Sequence, residues 1–161
     1  MVARSLEDNE MIDGVTVKRL RVIPDERGRL MEMVRSDDEE FERFGQVYMT
    51  TCYPGVVKGW HYHARQTDLM TVVSGMMKIV LYDRRESSST RGELMEIFAG
   101  DHNPVRVRIP PGVCHGFKSI GPSEGVVINT VDQLYDYEEP DEFRIDPHSN
   151  EIPYDWSRRD G

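Results

Sequence analysis

Cysteine is scarce in this chain: Cys52 and Cys114 are the only two in 161 residues, and neither lies in a zinc-type spacing. That scarcity excludes a disulfide-stapled scaffold and predicts a reduced, cytoplasmic setting. Long apolar runs are lacking as well. None reaches the roughly 18 residues of a membrane span, and the N-terminus has no apolar export core, so neither membrane insertion nor secretion is expected. Positive charge is the minority sign, with 20 Lys and Arg against 29 Asp and Glu and a net charge of −9. A nucleic-acid surface, which needs clustered cations, is therefore not expected. A nucleotide ligand stays open, because a single Arg or Lys can hold a diphosphate in an acidic surround. Hydrophobic residues make up 38%, which at this length still allows one domain, residues 1–161, with a real core.

What the chain does have is a series of short apolar or alternating runs: 15–23, 29–34, 46–52, 69–73, 76–82, 94–98, 105–109 and 125–131. Turn residues such as Asp25-Glu26-Arg27-Gly28, Tyr53-Pro54-Gly55 and Ala99-Gly100-Asp101 separate them. Many short strands at even spacing predict an all-β sandwich or barrel. Only residues 36–44 suggest a helix, with acidic residues at the start and Phe41 and Phe44 on one side. Residues 1–12 are read as a polar arm. The tail 135–161 is acidic and proline-punctuated, but its Phe143, Ile145, Ile152, Tyr154 and Trp156 predict packing back onto the barrel.

The run Gly59-Trp60-His61-Tyr62-His63 concentrates the chemistry. In a strand, alternate side chains share a face, so His61 and His63 point one way and Trp60 the other, into core. Two imidazoles on one face suit either neighbouring metal ligands or a base in a pocket. With Asp68 and His115 they form a mixed imidazole–carboxylate set of the kind that holds one divalent metal ion. Cys114, next to His115, reads as a packed small hydrophobe.

The spacing Gly55-x5-His61-x-His63-x4-Asp68-x6-Gly75 resembles the first cupin motif, with Asp where Glu is commoner, and Pro110-Pro111-Gly112-Val113-Cys114-His115 resembles the second. More specifically, three segments resemble the dTDP-4-dehydrorhamnose 3,5-epimerase family of nucleotide-sugar cupins. They are Asp25-Glu26-Arg27-Gly28 followed by Glu32, then Val57-Lys58-Gly59-Trp60-His61-Tyr62, then Ile109-Pro110-Pro111-Gly112-Val113-Cys114-His115-Gly116-Phe117. The resemblance implies a cupin double-stranded β-helix, or jelly roll, with a short helix and terminal extensions. It implies epimerisation or isomerisation of a nucleotide-diphosphate 4-keto-6-deoxy sugar by proton abstraction beside the ketone, with no cofactor. His61 would be the base and His115 a second pocket histidine. Lys58 would hold phosphate where the family has Arg, and Arg27 and Glu32 would bind the nucleotide of the neighbouring subunit in a homodimer.

Three departures accompany the resemblance. The family's catalytic tyrosine aligns with Ile128 in Val126-Val127-Ile128-Asn129-Thr130-Val131-Asp132, and isoleucine carries no proton to donate. Tyr62, Tyr135 and Tyr137 are candidate replacements, Tyr135 foremost, and inversion at one centre only is a possible consequence. The family's pocket lysine is replaced by Asp68, whose charge would repel an enolate unless paired. His63 stands where the family has a glutamine-like residue. A metal-dependent isomerase or oxygenase built on His61, His63, Asp68 and His115, and a non-catalytic sugar-binding cupin, are the alternatives.

Overall fold

The computed structural model describes residues 12–160. The strands run, in chain order, β1 (Thr16–Arg19), β2 (Val22–Asp25), β3 (Gly28–Met31), β4 (Gln46–Cys52), β5 (Val57–Tyr62), β6 (Asp68–Ser74), β7 (Met76–Asp83), β8 (Leu94–Gly100), β9 (Val105–Ile109), β10 (Val113–Ser119), β11 (Gly125–Val131) and β12 (Phe143–Arg144). Two five-stranded antiparallel sheets, β1-β9-β6-β11-β4 and β12-β5-β10-β7-β8, face each other, and β2-β3 forms a separate hairpin. This is the all-β jelly roll expected from the sequence. Among the described residues no helix is long and apolar enough to cross a membrane.

Alternation along each strand builds the core. In β11 the buried positions are Gly125, Val127, Asn129 and Val131, with half-buried residues between them. Inward residues of both sheets, including Met70, Val72, Ile79, Leu81, Ile97, Val107 and Val127, form the main core. Burial of such side chains is the principal driving force for joining the sheets, each contributing about 1.5–3 kcal/mol. Ile12, placed by the sequence at the end of a polar arm, instead lies fully buried in this core. The rest of that arm falls outside the described residues.

The helix expected over 36–44 is not formed; the segment is a succession of turns and extended chain. Its acidic residues explain why. Asp38, Glu40 and Glu42 recur every second residue, the period of an extended chain, and each meets a cation of β1 or β9. Arg106, 1% exposed, bonds Asp38 and Glu40; Lys18 also pairs with Asp38, and Arg108 with Glu42 at 2.8 Å. Thr16 Oγ1 donates to Glu40 at 2.8 Å. A helix would turn these carboxylates to different sides and leave the buried Arg106 guanidinium unpaired, which is a large penalty.

The tail packs in a second apolar cluster on the outer face of the β5 sheet. Trp60, Val80, Cys114 and Trp156 are buried there, with Ile145, Ile152 and Tyr154 against them. Trp156 lies 5.0 Å from Trp60, ring centre to ring centre, and its carbonyl accepts from Lys118 Nζ at 2.8 Å. Truncating Trp156, 2% exposed, should therefore destabilise the whole fold. Trp156→Ala is expected to lower unfolding free energy by about 3–5 kcal/mol in urea titration; a loss below about 1 kcal/mol would mean that the tail adds little to stability.

Candidate active site

Strand pairing brings the histidines together. His115 on β10 stands directly opposite His61 on β5, and a register shift follows between His115 and Phe117. Gly116 lies at that irregularity, where a Cβ would stand 2.9 Å from the Lys58 carbonyl oxygen, so only glycine permits this approach of β10 to β5. The His61 and His115 rings are 4.1 Å apart, centre to centre, and His63, one residue beyond β5, is 5.4 Å from His61. Asp68 opens β6 in the opposite sheet and reaches the same cluster. One ligand-capable atom from each of His61, His63, Asp68 and His115 lies within 4.8 Å of every other.

The hydrogen bonding around this group is specific. Gln66 Nε2 donates to Asp68 Oδ1 at 2.7 Å. The other carboxylate oxygen, Oδ2, lies 3.1 Å from His115 Nε2 and 3.5 Å from His63 Nε2. Each of those rings is fixed from behind through Nδ1, on the Val113 carbonyl for His115 and the Asp141 carbonyl for His63. Burial alone would push the Asp68 carboxyl up, but the neighbouring His115 outweighs it and holds the carboxyl well below the usual range. Burial and the neighbouring His115 push His61 down to about 3, while Asp68 acts in the opposite direction. His61 is thus a neutral imidazole with a free lone pair.

A cavity of about 640 Å³ opens beside His61, within the size range of small-molecule sites. Tyr48, Thr50, Lys58, Asn129, Glu142 and Arg144 supply its polar wall. Lys58 lines it as expected and donates to Thr50 Oγ1 at 2.8 Å. Tyr48, missed in the sequence, comes from β4 in the sheet opposite His61, and its hydroxyl accepts from Asn129 Nδ2 at 2.8 Å. Burial and the charge of Asp68 push that hydroxyl up to about 12, so Tyr48 keeps its proton at neutral pH. Its only sequence signal was a polar-tipped aromatic inside the run 46–52.

The other expected residues are distributed differently. Ile128 belongs to the half-buried set of β11 and does not line the cavity; its neighbour Asn129 does. Tyr135 borders a second hollow shared with His61 and His63, stacked edge-on against Tyr137. Tyr62 faces away, between Phe143 at 5.0 Å and the Arg84 guanidinium at 4.4 Å. Arg27 is exposed and pairs with Asp25 in the β2-β3 turn, and Glu32 pairs with Arg35, so neither lines the cavity of its own chain. Burial pushes the Cys114 thiol up to about 12, which makes it a packing residue and not a nucleophile.

A jelly roll with imidazoles from one sheet, a tyrosine from the other and a polar cavity between them defines a cupin that handles a small polar ligand. Comparison with known proteins makes this specific. The model of the dTDP-4-dehydrorhamnose 3,5-epimerase family matches residues 9–161, and the chain belongs to that family. It is 41% identical over 147 residues to the spore coat polysaccharide biosynthesis protein SpsL of Bacillus subtilis, covering 91% of this chain and 97% of that one. It is 44% identical over 148 residues to the probable low-salt glycan biosynthesis epimerase Agl13 of Haloferax volcanii, covering 91% and 95%. A dTDP sugar isomerase from Desulfovibrio desulfuricans G20 has the same fold, with a TM-score of 0.87, 34% identity and coverage of 92% and 94%. The chain is a sugar-nucleotide epimerase by class.

One tail residue ties the site to the barrel. The Asp141 carboxylate accepts from the backbone N–H groups of Ala64, Arg65 and Gln66 at 2.8, 2.9 and 3.1 Å, while its carbonyl holds His63. Asp141→Ala removes three charge-assisted bonds from this turn, and a loss of about 2 kcal/mol in denaturant unfolding is the expected outcome. Unaltered stability would show that the turn keeps its shape without the carboxylate.

Proposed function

We propose that this protein epimerises a nucleotide-diphosphate 4-keto-6-deoxy sugar, with His61 as base and Tyr48 as the acid on the opposite face of the ring. The observation that carries the reading is the placing of an imidazole from one sheet and a phenol from the other on a single cavity. A ketone acidifies the hydrogens on the carbons beside it, because the resulting carbanion is delocalised as an enolate. Inversion needs a proton removed from one face and another delivered to the opposite face, and groups on opposite walls meet that need. His61 has its lone pair free. The Tyr48 hydroxyl accepts from Asn129, which leaves its own proton to donate.

Lys58 and Arg144 are the cations on this cavity wall and suit the diphosphate, Arg144 with a planar fork and Lys58 as a point charge. The diphosphate's negative charge, once bound, favours protonated His61 and so raises its basicity. Arg144 is placed by β12, which pairs Arg144 with His61 itself. The epimerase Agl13 and the dTDP sugar isomerase support the substrate class. A homodimer fits the same reading. The β4 edge exposes Val47 and Met49, the β2-β3 hairpin exposes Ile23 and Leu30, and Arg27 and Glu32 on that hairpin would then serve a partner's nucleotide site.

The test is wash-in of solvent deuterium at C3 and C5 of a dTDP-4-keto-6-deoxy sugar, followed by mass spectrometry and NMR. Wild-type protein should exchange at one or both positions, and His61→Ala should lose exchange by at least about 10²-fold. Tyr48→Phe should still exchange at the carbon that His61 deprotonates but form inverted product about 10²-fold more slowly. Nucleotide-sugar binding without exchange would sink the catalytic reading, and unchanged exchange in His61→Ala would remove that residue from the mechanism.

A further inference from the structure

The atoms that meet at the centre of the histidine cluster are short of something positive. Asp68 Oδ2, His63 Nε2 and His115 Nε2 are all buried and all without a hydrogen-bond partner. Their residues are 1%, 8% and 1% exposed. Because Nδ1 of each ring faces a backbone carbonyl, the proton of a neutral ring belongs on Nδ1, and Nε2 presents a lone pair. Two imidazole nitrogens therefore face the same carboxylate oxygen, at 3.1 and 3.5 Å.

A single proton relieves only one of these contacts. Placed between His115 and Asp68 it makes an ion pair and leaves His63 Nε2 still facing acceptors. One divalent cation satisfies all of them at once. We propose that His63, Asp68 and His115, with His61 as fourth ligand, bind one divalent transition-metal ion. The donor set is three borderline imidazoles and one hard oxygen, which selects zinc, cobalt, manganese or iron over calcium or magnesium. The supporting bonds are also those of a metal centre. Two rings are oriented by carbonyls behind them, and the carboxylate is oriented by Gln66 through its other oxygen.

This inference goes beyond the epimerase reading and does not rest on it. A bound cation draws on the lone pair that His61 otherwise offers a proton, so loaded and metal-free protein differ in the base available. His61 lines the cavity, so an ion held by it would supply Lewis-acid polarisation of a keto oxygen there.

Full-length protein stripped with EDTA is titrated with Zn²⁺, read by elemental analysis after desalting and by thermal shift, and with Co²⁺, read by its visible spectrum. The expected result is one ion per chain, a raised melting temperature and Co²⁺ bands of low-coordinate geometry. Asp68→Asn should weaken binding by more than about 100-fold. Should Asp68→Asn fail to fold by circular dichroism, His61→Ala on the cavity wall replaces it and should weaken binding by about 10-fold or more. Less than stoichiometric metal in the wild type, or unchanged affinity in a folded variant, overturns the proposal. The titration uses no sugar nucleotide, and the exchange assay can be run on EDTA-stripped protein, so either reading can fail alone.

Discussion

A carboxylate with no access to water is the constraint around which this site is organised. Asp68 is 1% exposed at the start of a strand whose next residues are core, and an isolated charge in such a place is very costly. The fold meets that cost from several directions. Gln66 binds one oxygen, and His115 and His63 crowd the other. Those rings hold their orientation because Val113 and Asp141 supply carbonyls behind them, and Asp141 is itself fastened to the turn 64–66. A chain of polar contacts thus runs from the C-terminal tail through a turn and two rings to a strand of the opposite sheet. Removing any one member leaves another buried group unpaired, so the members act as a unit.

The same arrangement divides the site in two. Asp68, His63 and His115 form a closed cluster behind His61, while His61 and Tyr48 face the open cavity. Lys58, Arg144, Glu142 and Thr50 add charged and polar side chains to the cavity lining. Asn129 connects the sheets' contributions, since it is buried on β11, pairs in register with Tyr48 on β4, and donates to the Tyr48 hydroxyl. The tyrosine of this cavity therefore comes from β4, one strand over from Ile128.

Much of the fold was legible because alternation and turn chemistry are local. The His61 segment was legible through strand alternation, whereas the His115 segment was legible only through its resemblance to the second cupin motif, because β10 is not an alternating run in the sequence. What escaped depended on partners distant in sequence. The segment 36–44 looked like a helix, yet its carboxylates answer to Lys18, Arg106 and Arg108, which no local pattern reveals. Tyr48 lacks a motif because its role comes from β4 pairing with β11. Glu142 and Arg144 lie in a tail whose only readable signal was apolar content, and they reach the cavity because β12 adds to the edge of β5.

Asp68 counted against proton abstraction, since a negative charge facing an enolate would raise the barrier. Its position removes that objection. Asp68 does not line the cavity; it lies behind the imidazoles, with His115 against its free oxygen. From there its charge favours the protonated form of His61, against the burial and the neighbouring His115 that disfavour it. A carboxylate in that place strengthens a base where a carboxylate in the cavity would oppose its product.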